Sequence, residues 1–322
     1  EHESVSGPLS REIAGLAYDS RQVKEGFLFA AMPGARLDGR DFIGDAVTRG
    51  AGAIVSTDDL KFPDATHVRV ADVRKAFAEV ASSYHDDPSA KLQMVGITGT
   101  NGKTTIAFMV RDILRADDMT PGLLSTIRYE IGSRVIPAAR TTPESADLQA
   151  MLAEMVGVGC KSAVMEVSSH ALVQKRVWGV AFDAAVFTNL THEHLDFHGT
   201  MEDYFDAKCI LFRELGFANS EAVGVVNGDD PWGRRLLAMT GLEVAMLSYG
   251  LGGACDVRAE NVRMGADESR FDLRTPWGDI DGMRIGLMGG FNISNALAAI
   301  GVGGSLAVKL ELMAAVLEKF QA

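Results

Sequence analysis

The residues with the clearest chemical signature lie in a glycine-rich stretch between an apolar run and an amphipathic one. Residues 94–114 read MVGITGTNGKTTIAFMVRDIL. A turn of this kind directs backbone N–H groups and a helix N-terminus at one point, where Lys103 can reach the terminal phosphates of a nucleotide and Thr104 can ligate Mg²⁺. The stretch therefore predicts a phosphate loop.

This loop departs from the strict glycine spacing of the motif. The motif asks for glycine at position 97, where the chain has Ile97 with Gly96 and Gly99 nearby. The alternative is an ordinary strand-to-helix turn with a solvated lysine, although glycine, lysine and threonine all fall in register. ATP is the default ligand, and the loop by itself does not distinguish ATP from GTP.

Two further apolar runs end in polar residues. KSAVMEVSSHALVQKR (161–176) ends its run at Glu166, and AAVFTNLTHEHLDFHG (184–199) ends near Asn189 and continues with three histidines. Ligands of open α/β sheets bind at the carboxyl ends of strands. Glu166 is therefore placed to hold Mg²⁺; the alternative is a helix-capping or exposed acid. A histidine in such a loop, taken alone, is more often a solvated residue than a ligand.

A lysine stands on an apolar helix face in YFDAKCILF (204–212). Apolar residues recur at three- and four-residue spacing from Met201 to Leu215, and Lys208 lies in the middle of that stripe. Burial lowers the pKa of an amine from about 10.4, and a neutral amine can add CO₂ to become a carbamate, which is an oxygen ligand for metals. The alternative is a lysine whose stem packs while its ammonium reaches water.

The surrounding pattern predicts an α/β protein of two domains, since 322 residues exceed what one core usually supports. Over residues 1–88, short strands alternate with short helices, and the polar DDPSA at 86–90 predicts a linker. Over residues 89–322, apolar runs alternate with helical patterns, as in a mostly parallel sheet flanked by helices. After about residue 247, alternating residues and turns predict an antiparallel extension before two closing helices.

The composition opposes several classes of partner. A net charge of -12 is unfavourable for binding nucleic acid, and no apolar run approaches the roughly 18 residues that a membrane span requires. The polar N-terminus lacks the pattern of a secretory signal. The three cysteines lie far apart at Cys160, Cys209 and Cys255, as expected for reduced thiols. We therefore expect a cytoplasmic protein.

Several stretches, taken together, resemble the Mur ligases of peptidoglycan synthesis, and within that family the MurE branch, which adds the third peptide residue. In chain order they are YDSRQVKEGFLFAAMPG, DGRDFI, GITGTNGKTT, TTPES, MEVSSHALVQKRV, FTNLTHEHLDFHGTMEDYFDAK, VNGDDP and GGFNISNALAA. The resemblance implies a UDP-sugar-binding domain over 1–88 and a central ATP-binding domain over 89–322. The C-terminal acceptor domain of the family is expected to be absent here, by truncation or in a naturally short homologue; we favour truncation.

The resemblance also implies a role for individual residues. The ATP phosphate loop would be Gly99, Thr100, Asn101, Gly102, Lys103, Thr104 and Thr105, and the asparagines near adenine Asn292 and Asn295. The metal-site residues would be Thr104, Glu166, His194 and a carbamylated Lys208. The catalytic residues would be Lys103, Glu166, His194 and Lys208. The UDP-sugar-peptide would contact Ser20, Arg21, Thr141, Thr142, Ser168, Gln174 and Arg176.

The activity that the resemblance implies is carboxylate activation. ATP would phosphorylate the D-glutamyl side chain of UDP-MurNAc-L-Ala-D-Glu, and the amine of a diamino acid, meso-diaminopimelate or L-lysine, would attack the acyl phosphate. Catalysis would be mostly positioning and electrostatics, with two Mg²⁺ ions. Without the acceptor domain we expect weak turnover or none. Two other hypotheses stay open: a MurF-type or folylpolyglutamate-type ligase, and a P-loop module that only binds.

Overall fold

The computed structural model separates into two compact units. It describes residues 2–34, 37–216, 219–265 and 267–321. The first unit comprises Glu1–Asp87, Glu144–Ala150 and Gln174–Gly179. The second unit comprises Pro88–Pro143, Met151–Val173 and Val180–Ala322. Two short segments from the later part of the chain thus belong to the first unit, a grouping that the linear order of strands and helices does not reveal.

The described residues of the first unit form one small sheet with helices. Its strands are β1 (Ser4–Ser6), β2 (Gly15–Ala17), β3 (Phe27–Ala30), β4 (Ala53–Ser56) and β5 (Thr66–Arg69), and its first helices are α1 (Ile43–Thr48) and α2 (Val73–Tyr84). The order is β1-β5-β4-β3-β2, with only β1 antiparallel to its neighbour. Phe77 of α2 belongs to one apolar cluster, and Phe29 and Ile54 of the strands to another.

The second unit is built on one long mixed sheet. Its strands are β6 (Gln93–Thr98), β7 (Pro121–Leu124), β8 (Arg128–Ile131), β9 (Arg134–Pro137), β10 (Ser162–Glu166), β11 (Ala184–Phe187), β12 (Val223–Asn227), β13 (Ala245–Gly250), β14 (Val257–Met264), β15 (Ser269–Thr275) and β16 (Gly278–Ile285). Their order is β16-β15-β14-β13-β12-β11-β6-β10-β7-β8-β9. The strands from β14 to β7 run parallel, and antiparallel pairs flank them at both edges.

Helices follow most of the parallel strands. They are α3 (Lys103–Ala116), α4 (Ser145–Gly157), α5 (Ser169–Val173), α6 (Leu195–His198), α7 (Met201–Glu214), α8 (Pro231–Leu237), α9 (Gly290–Ser305) and α10 (Leu310–Lys319). Apolar side chains of α3, α9 and α10 share one core with the central strands. The apolar stripe of α9, from Ile293 to Val302, is buried throughout, which explains why so uniformly apolar a sequence forms a helix here.

The predicted α/β fold is confirmed, including the mostly parallel central sheet, the antiparallel extension after residue 247 and the two closing helices. The hairpin of β8 and β9 was not predicted, because strands of four residues give too short an alternation to recognise. The segment predicted as a linker contains a single 3-10 turn over Pro88–Lys91. The assignment of residues 1–88 to UDP-sugar binding and 89–322 to ATP binding stays a prediction. In the described part of the chain, no helix combines the length and apolar character that a membrane span needs.

The central strands bring three polar loops to one edge of the sheet. β6 lies between β10 and β11, and all three run parallel, with Glu166 level with Ile97 and Phe187 level with Thr98. Because the carboxyl ends of parallel strands meet at the same edge, the loops that follow Thr98, Glu166 and Phe187 are neighbours.

A buried ion pair ties α3 to the edge hairpin. Arg111 Nη1 donates to Glu130 Oε1 at 2.7 Å, and both side chains are less than one-tenth exposed. Arg128 Nε donates to the same oxygen at 2.8 Å. Burial acts to raise the pKa of Glu130, but the hydrogen bond from Arg128 and the charge of Arg111 outweigh it and lower that pKa below its usual 4.5. The ionised carboxylate therefore stabilises the fold at neutral pH.

We predict that Glu130→Gln lowers the free energy of unfolding by about 3 kcal/mol at pH 7, because it leaves buried guanidinium charge without its partner. Since the folded pKa is depressed, this stabilisation is present above the ordinary glutamate pKa and is lost as the pH falls through the folded value. Urea denaturation at pH 7 and at acid pH measures it. The matched control is Glu154→Gln, which breaks the exposed pair with Arg134 and should cost less than about 1 kcal/mol. Equal losses in both variants would contradict the prediction.

Candidate functional site

The loop after β6 requires glycine at two positions. Gly99 has φ of 139° and Gly102 has φ of 87°, both in the left-handed region. A Cβ on Gly99 would lie 1.8 Å from Thr188 Oγ1, and a Cβ on Gly102 would lie 2.5 Å from Asn295 Oδ1. Close packing on both sides therefore excludes any side chain, which accounts for the glycines of the motif.

The residues that follow β11 hold this loop in place. Thr100 N donates to Asn189 O at 2.8 Å, and Asn101 N donates to Asn189 Oδ1 at 2.9 Å. Thr188 Oγ1 donates in turn to Asn101 O at 2.6 Å. Two neighbouring strand ends thus fix the backbone of the loop through both its donors and its acceptors.

Lys103 begins α3 and folds back over the loop. Its Nζ donates to Gly99 O at 3.0 Å and to Thr100 O at 2.7 Å. Burial lowers the pKa of Lys103, and the charges of Glu166 and Glu193 oppose that effect. The cation therefore lies at the mouth of the loop, next to the first turn of α3, which adds its own positive end.

Lys208 approaches the same loop from α7 and is 1% exposed. Its Nζ donates to Gly99 O at 2.9 Å and lies 4.5 Å from the centre of the Tyr204 ring. The hydroxyl of Tyr204 lies 3.3 Å from Thr100 Oγ1. The alternative in which this lysine reaches water is therefore wrong. Burial, with the charge of Lys103, holds the pKa of Lys208 well below its usual value.

Glu166 ends β10 and has no solvent exposure. Its Oε1 accepts from Thr104 Oγ1 at 2.8 Å and from Thr126 N at 2.9 Å, and its Oε2 accepts from Thr126 Oγ1 at 3.0 Å. The alternatives of an exposed or helix-capping acid are wrong. The carboxylate instead joins Thr104, the residue after Lys103 in the first turn of α3, to the loop after β7.

Thr141, Thr142 and Ser168 lie around the end of β10. Thr142 Oγ1 donates to Glu166 O at 2.9 Å and accepts from Ser168 N at 3.0 Å. The hydroxyl oxygens of Thr141 and Thr126 lie 3.1 Å apart. Hydroxyl groups from three separate segments therefore surround the buried carboxylate.

His170, His194 and His198 form a cluster of rings beside α7. The His194 ring centre lies 5.2 Å from that of His170 and 6.1 Å from that of Tyr204. His198 stacks on Tyr204 at 4.8 Å, and its Nε2 lies 2.9 Å from Ser169 Oγ. Burial, with the charges of His170, Lys208 and His194, lowers the pKa of His198 to about 4, so this ring is neutral at pH 7.

The described residues contain no group of three or more His, Cys, Asp and Glu side chains that could hold a metal ion. Of the four predicted metal-site residues, Thr104 and Glu166 are in direct contact, and Lys208 reaches the same loop through Gly99. His194 is exposed and touches this group through the Tyr204 ring. A cation here would have to draw most of its ligands from bound phosphate, water or a modified side chain.

The remaining predicted residues fall into both units. Asn295 lies against Gly102, and its Nδ2 donates to Asn292 Oδ1 at 3.4 Å, both in the second unit. Four others lie in the first unit, namely Ser20, Arg21, Gln174 and Arg176. Arg21 is exposed and paired with a neighbouring aspartate, whereas Ser20 is buried.

Models of known families match both units. The Mur ligase middle domain matches residues 97–303, which is more than half of the chain. The Mur ligase family catalytic domain matches residues 12–85. The chain belongs to the Mur ligase family.

Individual Mur ligases resemble the chain over nearly its whole length. It is 44% identical over 314 residues to the UDP-N-acetylmuramoyl-L-alanyl-D-glutamate--2,6-diaminopimelate ligase of Geobacter sulfurreducens, covering 96% of this chain and 61% of that protein. It is 42% identical over 326 residues to the UDP-N-acetylmuramyl-tripeptide synthetase of a Roseiflexus species, covering 97% and 64%. A solved diaminopimelate ligase superposes with a TM-score of 0.83 at 26% identity, covering 96% and 63%. The chain thus spans about three fifths of the length of the curated relatives it matches.

The structure of this Mur ligase chain adds residues that the sequence did not single out. Thr126 gives Glu166 two hydrogen bonds, yet it stands as an isolated threonine after a four-residue strand. Thr188 and Asn189 hold the phosphate loop. Their signal was their position at the end of an apolar strand next to β6, which becomes informative only when the strand order is known.

We predict that Lys208→Met raises the free energy of unfolding by about 1 kcal/mol at pH 7, because an apolar side chain of similar length replaces a buried amine. The pKa of the folded state is lowered below 10.5, so between the two values the unfolded chain carries a proton that the folded chain lacks. The gain should therefore shrink as the pH rises towards 10.5. Urea denaturation at neutral and alkaline pH measures it.

The control for this substitution is Lys309→Met, at an exposed position, which should change stability by less than about 0.5 kcal/mol. A Lys208→Met protein less stable than the parent at pH 7 would show that the hydrogen bond to Gly99 outweighs the cost of burial.

Proposed function

We propose that the chain carries the nucleotide- and UDP-sugar-binding parts of an ATP-dependent amide ligase, one that joins UDP-MurNAc-L-Ala-D-Glu to a diamino acid. The observation that carries the proposal is the phosphate loop, with Lys103 and Thr104 beside the buried Glu166, in a member of the Mur ligase family. Relatives more than 40% identical are named for that reaction with 2,6-diaminopimelate. The cytoplasm, where ATP is made available and thiols stay reduced, is the compartment this implies.

ATP binding would use the loop of Gly99 to Thr105. Backbone N–H groups of the loop and the first turn of α3 favour negative charge, and Lys103 lies within the loop, where a phosphate would compete for its ammonium with Gly99 O and Thr100 O. Asn295, which packs against Gly102, and Asn292 place amide groups on the α9 side of the loop, where the purine would bind.

Mg²⁺ fits the donors at this edge of the sheet. Thr104 and Glu166 offer a hydroxyl and a carboxylate oxygen in contact with each other, and Mg²⁺ commonly combines one or two such groups with phosphate oxygens and water. The ion would neutralise the charge of the phosphates. A second position would draw on His194 and on Lys208 as a carbamate; as an ammonium, Lys208 cannot ligate a cation.

The carbamate itself is supported by the environment of Lys208. The amine is 1% exposed, and its pKa is well below the usual value, so a larger share is the neutral nucleophile that adds CO₂ and releases a proton. Lys103 and the loop N–H groups nearby would favour the resulting anion.

The substrate carboxylate would be activated next to the loop. The carboxylate oxygen attacks the terminal phosphorus of ATP, ADP leaves, and the amine of the acceptor then attacks the acyl carbon and displaces phosphate. Thr141, Thr142 and Ser168 surround Glu166 and would hold the peptide end. Ser20 and Arg21, with Gln174 and Arg176, would contact the UDP-sugar and peptide from the first unit.

We predict that Lys103→Ala weakens the binding of Mg·ATP about 100-fold, because the loop loses the cation that forms charge-assisted hydrogen bonds with the phosphates. Isothermal calorimetry with a non-hydrolysable ATP analogue measures the dissociation constant. The exposed Lys309→Ala is the matched control and should bind as the parent does. If the parent binds neither the analogue with Mg²⁺ nor UDP-MurNAc-L-Ala-D-Glu, the proposal fails.

We also predict that the protein in ¹³C-bicarbonate shows a carbamate carbonyl signal in its NMR spectrum that Lys208→Met abolishes, because the buried amine with the lowered pKa adds CO₂ most readily. Lys309→Met is the control and should keep the signal. A protein that binds Mg·ATP but shows no such signal would contradict the carbamate while leaving the nucleotide site in place.

A further inference from the structure

The segment that carries Gln174 and Arg176 is fastened to the first unit. Residues Gln174–Gly179 follow α5, yet they group with the residues of the first sheet. Lys175 has a left-handed backbone with φ of 55°, which a lysine adopts at a cost and which other contacts must maintain. Those contacts come from α2.

Trp178 makes the largest of these contacts. Its Nε1 donates to Glu79 Oε1 at 3.1 Å. Two ammonium groups face its ring, with Lys75 Nζ 4.8 Å and Lys175 Nζ 5.3 Å from the ring centre. The indole therefore combines a charge-assisted hydrogen bond with cation–π contacts to one lysine of α2 and one of its own segment.

An ion pair makes a second attachment at the beginning of α2. Lys175 Nζ lies 2.7 Å from Asp72 Oδ2. Asp72 is also the N-cap of α2, because its Oδ1 accepts from Lys75 N at 2.9 Å. One carboxylate thus starts the helix and holds the segment.

Arg176 is oriented within the same unit. Its Nη2 donates to Gln174 Oε1 at 2.6 Å and lies 3.0 Å from Glu144 Oε1. Glu144 belongs to the other later segment of the first unit and lies 4.0 Å from Arg74 of α2. These contacts of Gln174 and Arg176 therefore lie within the unit that contains Ser20 and Arg21.

We infer that Trp178 is a positioning residue, which holds Gln174 and Arg176 in the orientation needed to bind the peptide part of the UDP-sugar substrate. The inference rests on the proposed function, since it assigns the segment to recognition of that substrate. Trp178 itself contacts no ligand. Its effect is to fix the segment before the ligand arrives, so that binding does not have to order a flexible strand of chain.

A purely structural role for Trp178 predicts a different result. If the indole only stabilised the first unit, its loss would weaken the binding of UDP and of the complete UDP-sugar-peptide to the same extent. A positioning role weakens only the ligand whose peptide reaches Gln174 and Arg176. Comparing the two ligands separates the roles.

The test measures binding by calorimetry for Trp178→Ala and Trp178→Phe, with UDP-MurNAc-L-Ala-D-Glu, UDP and a non-hydrolysable ATP analogue. We expect Trp178→Ala to bind the UDP-sugar-peptide about tenfold more weakly, and UDP and the ATP analogue within about twofold of the parent. Trp178→Phe keeps an aromatic face for the lysines and should recover part of the loss.

A ligand-free measurement accompanies the binding data. Trypsin cleaves after lysine and arginine, so Lys175 and Arg176 are cleavage sites within the segment itself. Mass spectrometry of a trypsin time course should show these bonds cut about tenfold faster in Trp178→Ala than in the parent, because the released segment samples open conformations more often.

The matched control is Trp277→Ala, in the turn between β15 and β16 of the second unit. It removes an indole that is more exposed than Trp178, without touching α2 or the segment, and should leave both the affinities and the cleavage at Lys175 and Arg176 unchanged. A second variant, Lys175→Met, breaks the pair with Asp72 while keeping the aliphatic stem, and should weaken the UDP-sugar-peptide about threefold.

Three outcomes would overturn the inference while the parent still binds its ligands. The first is unchanged affinity of Trp178→Ala for the UDP-sugar-peptide. The second is an equal loss for UDP. The third is the same loss in Trp277→Ala. If the parent itself fails to bind the UDP-sugar-peptide, it is the proposed function that fails, and the cleavage data still report whether Trp178 holds the segment.

Discussion

The amino groups of two lysines donate to the carbonyl oxygen of Gly99, and the organisation of the site depends on this arrangement. Lys103 and Lys208 reach it at 3.0 and 2.9 Å from different helices. Burial, together with the repulsion between two charges so close, lowers the pKa of Lys208. The partly positive N-terminus of α3 and the two lysines lie together at the loop, where a negative charge would be attracted. An anion bound at the loop would relieve that repulsion.

The same constraint explains how the sheet is built around the loop. Gly99 must lack a side chain because Thr188 occupies the space beside it. The position of Thr188 is fixed in turn by its hydrogen bond to the carbonyl oxygen of Asn101. β6, β10 and β11 have to be neighbours for these contacts to form. The same close contacts therefore constrain both the order of the strands and the sequence of the loop.

The sequence predicted what local pattern determines. The glycine-rich turn, the parallel strands and the position of Lys208 on an apolar stripe all follow from local motif, from spacing of three to four residues or from alternation. Thr126 was not predicted because an isolated threonine carries no pattern, and the hairpin after it was not predicted because its strands are short. The role of Trp178 was not predicted for another reason. Its partners Lys75 and Glu79 are about a hundred positions away in the chain, and only the folded structure brings them together. The roles of individual site residues came from family resemblance rather than from periodicity.

The chain passes between the two units repeatedly, after residues 87, 143, 150, 173 and 179. A gene fragment that ended at residue 87 would encode the first sheet but not Glu144, Arg176 or Trp178, which belong to the same unit. Exchanging residues 1–87 alone between relatives would therefore leave this unit with segments 144–150 and 174–179 of the other parent. The three pieces of the first unit have to fit one another, although parts of the second unit separate them in the chain.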